Sequence, residues 1–283
     1  MSFVQAIILG IIQGLTEFLP VSSSGHLILF PKLFGLLDQG MAFDVVLHLG
    51  TLVAVIVYFR SKLWSIIKSY LSFIFPVKME DQKLLTNPHF YKNQKENRKL
   101  GNLILLSIIP ASIVGFFFGD WLENSFRSVK VVAFSLIFWG IVLWIADVYA
   151  RKEKNKKTLK QISWKQSLFI GCAQVLALIP GTSRSGITMT AGLFSKFDKT
   201  SAAEFSFLMS VPIIALAGGK GLLDLIQSGS FSESFLILLV GFIFSALSGL
   251  FAVWGLIKII KKYSFLPFVI YRIFLGFIIL FFI

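Results

Sequence analysis

Apolar residues along this chain gather in long runs separated by short polar stretches. The runs cover 3–19, 27–37, 42–59, 103–118, 129–149, 167–179, 187–194, 203–217, 235–257 and 265–283. Roughly 20 apolar residues in helical form match the ~30 Å hydrocarbon core of a bilayer, so most of the longer runs predict crossing helices. The runs 27–37 and 187–194 are too short to cross. Each follows a polar break rich in Pro, Gly and Ser: PVSSSG at 20–25 and PGTSRSG at 180–186. Such a break leaves backbone groups unpaired. Lipid cannot satisfy them, so they must line a protein cavity. Runs 3–19 and 27–37 therefore read as one re-entrant helical hairpin, and runs 167–179 and 187–194 as a second. The expectation is an all-α integral membrane protein with six transmembrane helices and two re-entrant hairpins, in a single membrane domain over 1–283.

Charge sets the orientation of such a chain, because cytoplasmic loops collect Lys and Arg. The stretch 60–99 carries nine, 151–165 seven, 120–130 two and 221–234 none. This predicts basic cytoplasmic loops at about 60–101 and 150–166. The first hairpin then enters from the outer side, the second from the cytoplasmic side, and both termini lie outside. Within the first basic loop, Leu63, Ile66, Ile67, Tyr70, Leu71 and Ile74 recur at helical spacing, with Lys62 and Lys68 off the stripe. A helix lying on the inner leaflet fits that pattern, as does an ordinary amphipathic helix packed on the protein.

The two breaks align at an offset of 161 residues, which matches Gly10 with Gly171, Gln13 with Gln174, Leu15 with Leu176, Ser22 with Ser183, Ser24 with Ser185 and Gly25 with Gly186. Each half reads as one hairpin followed by three spans. Three is odd, so the second half is inverted relative to the first. The predicted repeats cover about 3–149 and 167–283. Inverted repeats with broken helices place their functional site at the repeat interface, near mid-membrane.

Composition supports the membrane reading: the chain of 283 residues is 56% hydrophobic and 14% charged, against roughly 25% charged in soluble domains. Its net charge of +13 does not argue for nucleic acid, because the cations sit in loops between apolar runs. The single Cys172 permits neither an intrachain disulfide nor a cysteine metal cluster. No cationic stretch or small-residue cleavage site marks a removable signal peptide at the N-terminus.

Ionisable groups within the apolar runs are costly and functional by default. Gln13 and Glu17 stand one helical turn apart and face one way. His26 closes the first break, and Arg184 lies within the second. Asp44 and His48 share a face of the next span, while Glu204 and Arg272 sit near the ends of later ones. Ser22, Ser23, Ser24 and His26 place hydroxyls and a base near Glu17, which is what a hydroxyl nucleophile needs. Arg184 supplies a planar fork for an oxyanion. Ser183, Ser185 and backbone N–H groups at a helix start add to an anion site. A plain alternative remains for each residue: packing for a serine, a structural ion pair for Glu17 and Arg184, helix capping for Asp44 and His48.

The run from Gln13 to His26, QGLTEFLPVSSSGH, resembles the first signature of the undecaprenyl-diphosphate phosphatase family of the bacitracin-resistance type. The run 180–188, PGTSRSGIT, resembles the second, and FDVVLHLGT at 43–51 and EFSFL at 204–208 are similar to further family segments. The resemblance implies a multi-pass enzyme of the bacterial plasma membrane. It would hydrolyse the terminal phosphate of undecaprenyl diphosphate, recycling the carrier lipid for cell-wall polymers. It implies a site facing the outer side, with Ser23 as nucleophile, Gln13 and Glu17 at the acidic positions, and His26 and Arg184 as basic groups. Ser22, Ser24, Ser183, Ser185 and Thr188 are then expected around the substrate phosphates. The family is dependent on a divalent cation, Mg2+ or Ca2+, which places metal-ligand candidates at Glu17 and Gln13. The family pattern allows Glu or Gln at the first acidic position, and the Gln found here shifts the anionic burden to Glu17. The expected partners are a polyprenyl diphosphate and membrane lipids, with the oligomeric state open and a homodimer included. A secondary transporter shares the repeat architecture but needs no serine beside a base. The type 2 phosphatidic-acid phosphatases carry a histidine after their Ser-Arg pair, and none follows Arg184 here.

Overall fold

The fold is known from a computed structural model that describes residues 1–35, 39–74, 88–126, 128–228 and 234–282. The end of run 27–37, the loop stretch 75–87, Arg127, the stretch 229–233 and Ile283 lie outside the described residues. Helices follow one another along the chain: α1 (Phe3–Phe18), α2 (Ser23–Leu33), α3 (Met41–Tyr58), α4 (Arg60–Ile74), α5 (Pro88–Phe126), α6 (Val129–Lys152), α7 (Trp164–Val175), α8 (Arg184–Phe194), α9 (Lys199–Ser228), α10 (Phe235–Lys262) and α11 (Leu266–Phe282). Among the described residues the one β-type pairing outside named strands is an isolated bridge between Lys157 and Phe197.

Polarity is arranged opposite to that of a soluble protein. Phe116, Phe117, Phe134, Phe251, Phe274 and Phe281 are exposed, while Gln13, Glu17, Thr51, Ser107, Gln174, Thr188, Ser206, Ser245 and Arg272 are buried. An apolar exterior around polar interior contacts is stable only in lipid. Five helices, within α3, α5, α6, α9 and α10, are long and apolar enough to cross a membrane. The helices α1 and α11 are apolar but shorter. At 11 residues each, α2 and α8 extend only ~16 Å and cannot cross alone.

Within the basic stretch 60–101, the helix expected from the apolar stripe Leu63 to Ile74 is present as α4, and the first turns of α5 occupy part of the remainder. Ile66 is buried and Tyr70 packs against Gly101, but Trp64, Ile67, Leu71, Phe73 and Ile74 are exposed. Lys62 pairs with Glu204 of α9 at 2.6 Å, which ties α4 to the bundle. The last apolar run forms a helix of 17 residues, shorter than the five crossing helices.

Small residues set the helix pairing. Gly14 sits so close to Ser245 and Gly249 of α10 that a Cβ has no room, and Gly10 lies against Gly241. Contacts therefore advance in the same direction along α1 and α10. The pair α5 and α7 repeats this arrangement: Gly171 lies against Ser107, and Ser167 Oγ donates to the Leu103 carbonyl at 2.5 Å. By contrast, α3 and α9 run antiparallel, with Gly218 on Leu49 and Gly221 on Val45. So do α6 and α11, with Gly140 on Arg272 and Gly276 on Ala133. Close approach through small residues is how membrane helices gain packing without a hydrophobic driving force.

Candidate active site

Two helix starts build the site, and they are made alike. At the first, α1 ends at Phe18 and the chain turns through Pro20 and Val21 to Ser22, the N-cap of α2. Ser22 has φ 74° and ψ 96°, and its hydroxyl accepts from Gly25 N–H. At the second, Ser183 caps α8 with φ 73° and ψ 110°, and its hydroxyl accepts from Gly186 N–H. A positive φ on a non-glycine residue is strained, and such strain gathers at functional sites. Ser22 Oγ lies 3.3 Å from Ser24 Oγ, and Ser183 Oγ lies 3.2 Å from Ser185 Oγ. Gly181, at φ +87°, lies so close to Val132 and Ser135 that a side chain there would collide as well as be strained.

Glu17 is the centre. Its side chain is 6% exposed, and a carboxylate that deep needs partners. Arg184 donates from NH2 to Oε1 at 2.7 Å. Ser23 Oγ donates to Oε2 at 2.8 Å. Gln13 Nε2 donates to the same Oε2 at 3.0 Å, and His48 Nε2 stands 3.7 Å from it. Arg184 is anchored a second time, from NH1 to the Ser206 carbonyl at 3.2 Å. A further bond at 2.7 Å joins Thr188 Oγ1 and Ser206 Oγ, while Thr188 also donates to the Arg184 carbonyl at 2.8 Å.

The two breaks are stitched together by more than the central ion pair. Ser185 Oγ donates to the Leu19 carbonyl at 3.0 Å. Arg272, fully buried on α11, donates to the Pro20 carbonyl at 3.4 Å, to Gly181 at 3.2 Å, to Thr182 at 2.9 Å and to Leu136 at 3.0 Å. Its charge rests on carbonyl dipoles from both breaks. His26 stands to one side: Nδ1 meets the Ser22 carbonyl at 2.7 Å and Nε2 meets the Tyr271 hydroxyl at 2.7 Å. The carbonyl can only accept, so Nδ1 carries the proton and Nε2 accepts from Tyr271.

Of the residues anticipated from sequence, Gln13, Glu17, Ser23 and Arg184 meet directly. His26 reaches them through the Ser22 backbone. Ser22, Ser183, Ser185 and Thr188 surround the centre but spend hydroxyl contacts on capping and on stitching the breaks. Ser24 is exposed beside Ser22. Sequence reading gave no role to Tyr271 or Ser206 and left Arg272 and His48 undecided. An arginine within an apolar run was the available signal for Arg272; contacts made by backbone carbonyls leave none.

An ion has partial provision here. The Oε1 of Gln13 is buried without a hydrogen-bond partner, one turn from the Glu17 carboxylate, and hard divalent ions favour such oxygen donors. Among the described residues no three His, Cys, Asp or Glu side chains gather into a metal cluster. A cation held by Glu17 and Gln13 would therefore fill its shell from hydroxyls and substrate oxygens.

The family model described as bacitracin resistance protein BacA matches residues 6–278. The chain belongs to that family. It is 43% identical over 280 residues to undecaprenyl-diphosphatase 2 of Stutzerimonas stutzeri, covering 99% of this chain and 98% of the relative. It is 43% identical over 276 residues to undecaprenyl-diphosphatase 1 of Pseudoalteromonas translucida, covering 98% and 97%. It is 42% identical over 283 residues to an undecaprenyl-diphosphatase of Alteromonas mediterranea, covering 100% and 99%.

Proposed function

We propose that this chain is an undecaprenyl-diphosphatase, releasing the terminal phosphate of undecaprenyl diphosphate and returning the monophosphate carrier to cell-wall synthesis. Relatives of that name match it end to end. The observation that carries the chemistry is the three-residue line in which Ser23 Oγ donates to Glu17 and Glu17 accepts from Arg184. A hydroxyl, a carboxylate able to take its proton and a guanidinium able to hold a phosphoryl group stand within one site at the meeting of two broken helices.

In this mechanism the terminal phosphate lies against the free N–H groups of Arg184. Ser23 Oγ attacks the terminal phosphorus as its proton passes to Glu17 Oε2. The bond from that phosphorus to the bridging oxygen breaks, and undecaprenyl monophosphate leaves with the electron pair. Water then hydrolyses the phosphoserine, with Glu17 returning a proton to Ser23. His26, held by Ser22 and Tyr271, positions the first break. Glu17 and Gln13 would hold a divalent ion, which would supply charge neutralisation of the diphosphate.

The same reading places two inverted repeats around the site, each a re-entrant hairpin followed by three spans. Equivalent elements support it: α1 packs on α10 as α7 packs on α5, in the same parallel sense. The self-equivalent pairs α3 with α9 and α6 with α11 are antiparallel, as an axis lying in the membrane plane demands. With the basic loops cytoplasmic, the site of a multi-pass plasma-membrane enzyme opens outward, where spent carrier lipid would be released by polymerising enzymes. The test is direct. Purified protein in detergent should release orthophosphate from C55 diphosphate and leave C55 monophosphate, seen by mass spectrometry. Binding without phosphate release would favour a carrier of this lipid over a hydrolase.

A further inference from the structure

The helix α4 presents three different faces, and the spacing of its residues separates them. Lys62, Ile66, Ser69 and Tyr70 turn to the protein. Lys62 pairs with Glu204 at 2.6 Å, Ile66 and Ser69 are buried, and the Tyr70 hydroxyl donates to Asn102 Oδ1 at 2.5 Å. Ser61, Ser65 and Lys68 share a second face, polar and exposed. Trp64, Ile67, Leu71 and Ile74 follow at steps of three, four and three, which puts them on one side of the helix. All four are exposed. The packing of α4 on the bundle uses the first face and leaves this apolar one uncovered among the described residues.

Connectivity fixes the depth of the helix. The crossing helix α3 ends at Tyr58 and α4 begins at Arg60, so the first turn of α4 starts at the membrane boundary. Further along, Tyr70 packs on Gly101, just before α5 enters its apolar run at Leu103. Two turns of α4 are thus held at the level where crossing helices pass from polar to apolar surroundings. A helix so held runs along the boundary, with its apolar face toward acyl chains and its serines toward water.

Charge selects the lipid. The residues of α4 include Arg60, Lys62 and Lys68 and no Asp or Glu. Lys62 is engaged by Glu204. Arg60 lies one turn before Trp64 on the apolar side, Lys68 lies at the polar edge, and both are exposed. Long cationic side chains beside an apolar face lay their stems along it and reach to the headgroup phosphates, and net negative headgroups gain most from them.

We propose that this face of α4 is a docking surface for anionic phospholipid of the inner leaflet, with acyl chains against Trp64, Ile67, Leu71 and Ile74 and phosphates on Arg60 and Lys68. The leaflet follows from the orientation proposed above, and the surface is independent of the hydrolase reading.

The experiment uses full-length protein in a Cys172→Ala background, reconstituted into lipid nanodiscs, with a bimane fluorophore on Ile67→Cys or on Ser65→Cys. Brominated acyl chains should quench the label at position 67, and aqueous iodide the label at position 65. At equal mole fraction, brominated phosphatidylglycerol should quench at position 67 at least ~2-fold more strongly than brominated phosphatidylcholine, and adding Arg60→Gln and Lys68→Gln should bring the two lipids to parity. Raising salt from about 0.1 to about 1 M shortens the screening length from ~10 to ~3 Å and should weaken the preference with no charge substituted. Iodide quenching at position 67 as strong as at position 65 would place the face in water and overturn the proposal. Disulfide cross-linking of two copies through Ile67→Cys would make it an interface between copies instead. Equal quenching by the two lipids, or a preference that survives both salt and substitution, would remove the anionic headgroup from it.

Discussion

Glu17 and Arg184 are 167 positions apart in the chain and meet at 2.7 Å, one from the helix before the first break and the other from the start of the helix after the second. The site therefore exists only when the two halves have packed together. Removing one member of a buried pair strands the other, at a cost of ~3–5 kcal/mol. Arg184→Ala should lower the thermal unfolding midpoint more than Glu17→Gln does. The double variant Glu17→Gln, Arg184→Ala should recover part of the loss. Strict additivity of the two single effects would show that the pair is not coupled.

Arg184→Lys tests the shape of the group as distinct from its charge. An ammonium cannot hold the Ser206 carbonyl, Glu17 and a phosphoryl group at once as the guanidinium fork does. Turnover should fall at least ~100-fold while the protein remains folded. Near-wild-type turnover would make Arg184 a structural cation.

Arg272 should act at a distance. It touches carbonyls of both breaks and sets their relative position. Arg272→Gln should lower kcat by at least ~10-fold with a smaller change in KM, because misplaced reacting groups cost rate before binding. An equal loss in kcat/KM through KM alone would place its effect on substrate binding.

Outward opening of the site is tested by labelling. Ser24 is exposed beside the buried Ser22, so it is the serine of the first break that a reagent can reach. In a Cys172→Ala background, Ser24→Cys should react with a membrane-impermeant thiol reagent in intact cells. Reaction only in inverted vesicles would reverse the topology.

Much of this was legible in the residues. Apolar runs marked the helices, and Pro, Gly and Ser at membrane depth marked the breaks, because lipid penalises unpaired backbone. Gln13 and Glu17 at four-residue spacing predicted a shared face, and they do bond to each other. Other features carried no local signal. The apolar stripe after Arg60 marked α4, but the polar residues from Pro88 to about 102 gave no sign that α5 begins there. Tyr271 reaches His26 across 245 positions, a pairing that no spacing predicts. The hydroxyls of Ser22 and Ser183, expected around the substrate phosphates, also cap helices, and a hydroxyl looks the same in sequence for either task.

The most direct test of the mechanism is turnover of C55 diphosphate by purified Ser23→Ala beside the wild type. Removing the nucleophile should cut turnover by at least ~100-fold, with substrate binding changed less. Glu17→Gln should be nearly as damaging, and the double variant little worse than the poorer single one, because the two groups act as a unit. If Ser23→Ala keeps more than about a tenth of wild-type turnover, Ser23 is not the nucleophile and direct attack by water beside Glu17 takes its place.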